Sequence, residues 1–492
     1  RSAGILHNSE RSRDAFESLI IDFVQSGTKK EAGPAVRIMS LQILERLAKQ
    51  IRDHPDIVYD PSLFDPVRVV HKMSLKAESR PPGSDPYKTR VIFVVSAIKT
   101  YLDRVAFAPV MERSYGVGSN AIGHKWKRGG ASRFARFFCA NPRPGCSPSA
   151  SPYSSATGNT YLDSFFVSLD ISKFDQSVLA GLLMLCLFLP WLLYARDSHD
   201  FKMVERLILW SISNSVVKVV KWFGDEWRMV FGLMFSGELM TSLGDSWYLE
   251  IIMECFDQYL RDLVPPSMPG YFRFKDYGDD GVLAYPMSLF PLVCPDGKTP
   301  TLLRDYLKQY WMMDLKMSDT HVSFPSQNMG PYGPFVTVLK DDRVVYRGVR
   351  FLKRHIIVDD YSNGLPQELP WRPIEDYISK VSCVAGNNQS VARHLIRLRA
   401  LALDTYGTNQ AAYDFLKTTH DYLQSTCDLP NILRVVTSIL SDLITEEGNW
   451  DADDEDLFQR VGGRSGLVDI AMGFPEKHSI LSEVLRDEYE ES

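Results

Sequence analysis

Apolar residues recur at helical spacing over the first sixty positions, in ERSRDAFESLIIDFV behind the cap-like Ser9 and again in RIMSLQILERLAKQI. Positions three and four apart share one helix face, so both stretches predict amphipathic packing helices. The pattern lapses over residues 140–160, ANPRPGCSPSASPYSSATGNT, where Pro, Ser and Gly predict a long exposed loop, an insertion or a subdomain boundary. A short apolar run, FFVSL, then ends at Asp170 and reads as a buried strand with carboxylates at its C-terminal end. Residues 236–260 open as SGELMTS and continue as a helix, because Leu243, Trp247 and Ile251 follow at steps of four. YFRFKDYGDDGVLAY, residues 271–285, predicts two short strands joined by a turn at residues 277–281. Gly278 and Gly281 are expected there to permit unusual backbone angles. RVVYRGVRFLKRHIIV predicts another strand pair, and the remainder of the chain reads as mostly helical. No internal repeat is present.

The run VLAGLLMLCLFLPWLLYA, residues 178–195, carries no charge and reaches the length at which a membrane span must be considered. Gly181 and Pro190 interrupt it, no Lys or Arg cluster flanks it, and it follows directly on the Asp170 strand. A helix buried behind that strand is expected, without stable membrane insertion.

At 492 residues the chain exceeds the usual ceiling for one hydrophobic core, so several subdomains are expected. Its 45% apolar and 24% charged composition is that of a globular protein. Seven cysteines without a C-x-x-C pair argue against a disulfide framework and fit a reducing compartment. The N-terminal residues lack the order of a signal peptide, and neither end carries a lipidation motif. The net charge of −6 conceals a strong asymmetry. Between Arg68 and Arg143 there are 15 Lys and Arg against 4 Asp and Glu, and from Asp442 to Ser492 there are 4 against 15. The basic block suits contacts to phosphate, which supply most nucleic-acid affinity; a solvated basic face is the alternative.

Joining a nucleotide to a 3′-hydroxyl needs charge stabilised on both the attacking and the leaving oxygen, a task suited to two hard cations held by carboxylates. Asp279 and Asp280 are adjacent in a predicted turn, and Asp170 stands at a strand end. Two like charges about 4 Å apart repel by roughly 4 kcal/mol at an effective dielectric of about 20, so clustered carboxylates imply a metal. An Asp-Asp turn alone is a weak signal. D-x4-D at a strand end, then S-G-x3-T opening a helix, then Y-G-D-D in a turn, all within 111 residues, is a specific one.

Asp170 with Asp175, then Ser236, Gly237 and Thr241, then Gly278, Asp279 and Asp280, resemble motifs A, B and C of viral RNA-dependent RNA polymerases. PYKTRVIFVVS is similar to the basic fingers motif of that family, and MMDLKMSDTHVSF and RFLKRHI resemble its motifs D and E. The likeness runs over about residues 76–358. The wording DISKFDQ with SGELMTSLGDS most resembles polymerases of picobirnaviruses, small bisegmented double-stranded RNA viruses, with partitivirus enzymes as near neighbours.

The resemblance implies an α+β right-hand polymerase fold, with a small antiparallel palm sheet flanked by helices. Residues 1–160 would form an N-terminal segment and fingers, 161–177 palm, 178–230 fingers, 231–355 palm, and 356–492 thumb and acidic tail. It implies template-directed RNA synthesis with two Mg²⁺ or Mn²⁺ ions on Asp170, Asp279 and Asp280. Lys88 and Arg90 would meet the incoming triphosphate, with Lys76 and Arg80 as extra RNA contacts, and Lys353 and Arg354 would grip the primer strand. Ser236, Gly237 and Thr241 would join Asp175 around the nucleotide. The general acid for the leaving pyrophosphate would be His321, which is one residue short of its expected place, or Lys316. Template RNA, nascent RNA and nucleoside triphosphates would be partners, together with the viral capsid protein, in the virion interior and host cytoplasm.

Asp175 separates this reading from a reverse transcriptase, since those enzymes place at that position an aromatic side chain that excludes a 2′-hydroxyl. An aspartate accepts a hydrogen bond from that hydroxyl, which predicts ribonucleotide substrates. Asp245 departs from the Asn found in many positive-strand virus polymerases, and two facing carboxylates require protonation or an intervening cation. A non-enzymatic RNA-binding or capsid-associated scaffold is the remaining rival. Two nucleotide-like motifs fail: Leu292 stands where a P-loop before Gly297 and Lys298 needs glycine, and YGVGSNAIG lacks a properly spaced third glycine. DADDED at residues 451–456 is either a solvated tail or a competitor of RNA, and Tyr361, Trp371 and Trp450 are candidates for an aromatic priming element.

Overall fold

The computed structural model describes residues 34–53, 70–76, 90–115, 118–126, 129–139, 164–192, 194, 201–221, 226–235, 237–265, 273–324, 336–338, 344–346, 349–359, 367–382, 391–426 and 473–485. They fall into two compact units, one within residues 1–76, 89–124 and 168–320 and the other within 77–88, 125–167 and 321–492. The first predicted helix, the loop over 140–160, DADDED, Tyr361 and Trp450 lie outside the described residues.

In the first unit α1 (Pro34–Asp53) realises the second predicted helix and buries Ile43 and Leu44. β1 (Val70–Lys76) and β2 (Arg90–Val94) pair antiparallel and lead into α2 (Ala97–Ser114). β3 (Ser164–Leu169) contributes its last two residues to this unit. α3 (Ala180–Leu192) and α4 (Phe201–Val216) follow, then β4 (Val217–Lys221) and β5 (Trp227–Phe231). β4 joins β1 in parallel, giving a sheet of order β2-β1-β4-β5. Alternation along these strands turns Phe93, Val220 and Val230 toward Phe235, while Trp227, Met229 and Phe231 remain more than half exposed on β5.

α5 (Thr241–Leu263) buries a stripe of Leu249, Ile252, Met253, Phe256 and Leu260, the i, i+3, i+4 pattern of an amphipathic helix. Beyond it, β6 (Arg273–Tyr277) and β7 (Asp280–Pro286) form an antiparallel hairpin, with β3 on the other side of β7. β3 is buried at every position, which explains why FFVSL is continuous rather than alternating in hydrophobicity. α6 (Thr301–Trp311) completes the unit.

Residues 180–192 of the uncharged run form α3, and the expectation of a buried helix holds for one of its faces. Leu183, Cys186, Leu187 and Pro190 are buried, whereas Met184, Leu185 and Leu192 are about half exposed. At thirteen residues it packs by one stripe, and no helix among the described residues is long and apolar enough to cross a membrane. Cys186, Cys255 and Cys294 are free thiols.

The second unit holds the helix Gly130–Cys139, whose Phe134 and Phe138 join Trp126, Phe166 and Phe351 in an aromatic cluster. β8 (Arg354–Asp359) pairs with β9 (Gln367–Trp371) and with the two-residue strand Arg350–Phe351. Helices α7 (Ile374–Ser382), α8 (Val391–Asp404) and α9 (Gln410–Thr426) share a core of Tyr377, Leu398, Ala402, Ala412 and Leu416. Trp371, a candidate priming aromatic, is packed against Ile357, Leu369 and Leu481 and is not displayed to solvent.

Candidate functional site

The hairpin between β6 and β7 is as tight as an antiparallel connection can be. Tyr277 pairs with Asp280, leaving Gly278 and Asp279 as a two-residue loop. Gly278 has φ +62°, the left-handed region that favours glycine at such a position. Its N–H donates to Ser246 Oγ at 2.9 Å, which ties the turn to α5. Gly281 does not need an unusual angle, contrary to expectation; a Cβ there would stand 2.9 Å from Phe274 and 3.2 Å from Leu169. Its small size lets β7 lie close to the end of β3. Asp279 is exposed and Asp280 half-buried, so the hairpin offers both carboxylates at its tip.

Asp170 follows directly on β3. Its carbonyl accepts the N–H of Lys316 at 2.7 Å, and Asp314 O accepts the N–H of Ser172 at 2.8 Å. The two segments form an antiparallel bridge at Ile171 and Leu315. This pairing brings Lys316 Nζ to 3.8 Å from Asp170 Oδ2, while the same ammonium also pairs with Asp319.

Asp175 sits in the single turn Phe174–Ser177, and its carbonyl accepts the N–H of Met234 at 2.9 Å. The strand-end and S-G-x3-T segments are thereby joined through backbone. Gly237 packs so closely on β2 that a Cβ would come within 2.7 Å of Phe93 O. Thr241 Oγ1 lies 2.6 Å from Phe235 O and 2.8 Å from Glu238 O, so its hydroxyl clamps the turn and leaves only acceptor capacity for a ligand.

Asp245 is 3% exposed on α5. Burial first, then the charges of Asp175, Asp279 and Glu238, hold its carboxyl well above the ordinary carboxylate range. Of the two ways to accommodate an aspartate there, protonation is the one these surroundings favour. Beneath the hairpin, burial and the neighbouring charge of Glu250 push the fully buried Asp276 up to about 8. Sequence reasoning passed over Ser246, Glu238 and Asp276; the Gly278–Ser246 contact spans 32 residues and has no local signature.

Other predicted residues are distributed differently. Lys76 closes β1 opposite Arg90, which opens β2, so the two basic positions are backbone neighbours. Lys88, Arg80 and Ser236 lie outside the described residues. In the second unit, Leu352 and Lys353 both have positive φ and turn the chain from Phe351 to Arg354 in a two-residue hairpin loop. Lys353 is exposed, whereas Arg354 pairs with Asp404 and stacks 5.3 Å over the Tyr406 ring. His321 Nε2 stands 3.1 Å from Arg350 Nη1. A guanidinium can only donate, so that imidazole nitrogen is the acceptor and carries no proton in this contact.

The model of the viral RNA-dependent RNA polymerase family matches residues 23–402, more than three-quarters of the chain. The chain belongs to this family. Among solved structures, the 3Dpol RNA-dependent RNA polymerase of Sicinivirus is similar at 16% identity and a TM-score of 0.48. That match covers 77% of this chain, which spans 65% of the length of the Sicinivirus polymerase. No curated protein matches.

Viral RNA-dependent RNA polymerases use divalent cations, and Asp170, Asp279 and Asp280 supply the oxygen donors that such ions prefer. Burial chiefly, and beside it the charges of Asp175, Asp279 and Glu238, raise Asp245, and a cation among these carboxylates would offset the second of these causes. The donors therefore fit by chemistry. Among the described residues no group of three or more His, Cys, Asp and Glu side chains is drawn together tightly enough to hold an ion.

Proposed function

We propose that this chain synthesises RNA on an RNA template by nucleotidyl transfer, replicating and transcribing a viral genome of double-stranded RNA. The observation that carries the reading is the two-residue hairpin that offers Asp279 and Asp280, with the Asp170 strand end next to it in the sheet, in a member of the polymerase family. Asp170, Asp279 and Asp280 would hold two Mg²⁺ or Mn²⁺ ions. The chemistry such ions supply is a more acidic 3′-hydroxyl and charge neutralisation on the departing pyrophosphate.

The chain's own groups account for the rest. Lys88 and Arg90 bind the triphosphate, and Lys76, Arg80 and Lys353 meet RNA phosphates, as cations on a polyanion do. Asp175 accepts a hydrogen bond from the ribose 2′-hydroxyl and so selects ribonucleotides. Ser236, Gly237 and Thr241 shape the wall against which the nucleotide rests. Lys316 Nζ, 3.8 Å from Asp170, is the better-placed donor of a proton to pyrophosphate than His321, whose Nε2 is engaged by Arg350. The assignment of fingers to residues 1–160 and 178–230, palm to 161–177 and 231–355, and thumb to the remainder belongs to this reading, as do the picobirnavirus likeness, capsid association and a place in the virion interior and host cytoplasm.

Metal-dependent incorporation of labelled nucleotide on an RNA template tests it. Asp279→Ala with Asp280→Ala should abolish incorporation in a chain that still folds, since neither side chain is buried. Undiminished synthesis by that double variant would sink the assignment. An RNA-binding scaffold would instead bind RNA with strong salt dependence and incorporate nothing.

A further inference from the structure

Glu238 follows Gly237 in sequence, but its carboxylate is buried: 5% of the residue is exposed. Oε1 stands 3.4 Å from Lys218 Nζ on β4, and Oε2 stands 3.8 Å from Lys99 Nζ on α2. Lys99 is also paired with Asp103 at 2.5 Å, and Ser211 Oγ donates to the other oxygen of Asp103 at 2.5 Å. Two cations and two anions thus neutralise one another inside the first unit, each almost sealed from water.

Lys218 does more than balance charge. Its ammonium donates to Leu233 O at 2.7 Å, to Gly232 O at 3.1 Å and to Ser215 O, and lies 4.7 Å from the centre of the Phe235 ring. Gly232 and Leu233 have φ of +67° and +58°. For a leucine that conformation is strained, and it persists only where surrounding contacts impose it. Lys218 therefore fixes the chain entering the 237–241 turn and, through Glu238, the turn itself. Phe235 stacks on Phe93 at 3.9 Å, and Gly237 bears on Phe93 O, so the turn is seated on the strand that begins with Arg90.

Buried ion quartets are poor sources of net stability, because apolar side chains of equal volume commonly serve as well. The role of this quartet lies in its geometry, since it ties Glu238 to lysines on two separate elements, α2 and β4. We infer that Glu238 is a positioning residue for nucleotide addition: bracketed by Lys99 and Lys218, it holds residues 237–241 so that Gly237 and Thr241 meet the incoming nucleotide in one arrangement. The inference rests on the polymerase reading above.

Glu238→Gln and Glu238→Asp in the full chain test it, with amide hydrogen exchange over residues 237–241 and separate KM and kcat for nucleotide. Glu238→Gln should speed exchange there and raise KM by about tenfold, with kcat changed less. Glu238→Asp keeps the charge but withdraws it by one methylene, and should fall between; it also serves if the glutamine variant does not fold. Unaltered exchange and KM in a folded variant would overturn the inference. So would a fall in kcat at constant KM, the mark of a smaller active fraction. A wild-type chain that incorporates no nucleotide would defeat the polymerase reading instead, while exchange would still report whether Glu238 anchors the turn.

Discussion

Lys316 Nζ stands 3.8 Å from Asp170 Oδ2 because the backbone of residue 316 is hydrogen-bonded to the carbonyl of residue 170. The main-chain pairing holds the stem of the lysine beside the aspartate, within reach of its carboxylate and of Asp319. Lys316→Ala should lower kcat by about a hundredfold, the usual scale for losing a general acid, with KM little changed. His321→Ala should leave kcat within about twofold. Comparable losses in both variants, measured in single-nucleotide addition, would contradict the choice of Lys316.

Gly281 offers a test of how closely the hairpin must lie to β3. Ala at this position would be driven against Phe274 and Leu169, at 2.9 and 3.2 Å. Overpacking of this kind costs about 1–3 kcal/mol, visible as a lower midpoint in urea. An unchanged midpoint would show that the two side chains yield freely.

Asp245→Asn should be tolerated. If the buried carboxyl is already protonated, the amide replaces it with a neutral group of the same shape, and nucleotide incorporation at neutral pH should stay within about threefold of wild type. Asp245→Leu, which removes every polar atom, should lose considerably more. Equal damage from both substitutions would mean that the carboxylate charge is required.

Stability should decline as the solution becomes more alkaline. In the folded chain Asp276 keeps its proton up to about pH 8, whereas in the unfolded chain an aspartate releases it near pH 4. Between these limits the folded state binds more protons, so its advantage is complete below about pH 4 and is lost as pH climbs toward 8, at no more than about 1.4 kcal/mol per unit. Asp276→Asn removes this contribution. Denaturation at pH 5.5 and 8 should show a smaller difference in the variant than in wild type; an equal or larger one would refute the assignment.

Lys353 and Arg354 are neighbours in sequence with different surroundings. Lys353→Ala should weaken RNA binding and reduce the slope of its salt dependence by about 1. Arg354→Ala should instead lower the melting temperature, because Asp404 loses a partner that holds it together with Arg372. Identical salt slopes in both variants would remove Lys353 from the RNA-binding surface.

The hairpin, the Asp170 strand and the helix after SGELMTS were legible from sequence because each rests on local pattern: a glycine in a tight turn, a continuous apolar run, an apolar stripe. Gly281 makes room and does not bend the chain, and in one sequence the two kinds of glycine look alike. Asp245 was recognised as a departure, but its resolution depends on burial and on Asp175 and Asp279, which only the fold brings near. Ser246, Glu238 and the Asp404 partnership of Arg354 join distant residues and left no local trace. His321 and Lys316 were both candidates from sequence, and the backbone pairing of Lys316 with Asp170 joins segments 146 residues apart and left no local trace.

The register of the β6–β7 hairpin carries a constraint on length. With Tyr277 opposite Asp280 and Asp276 opposite Gly281, one residue added or removed would turn every following side chain of β7 to the opposite face of the sheet, where Gly281–Pro286, all buried, would each meet the wrong neighbours. Mutation can therefore vary the letters around this turn one at a time, but the number of letters between Tyr277 and Asp280 behaves as an invariant of the machine.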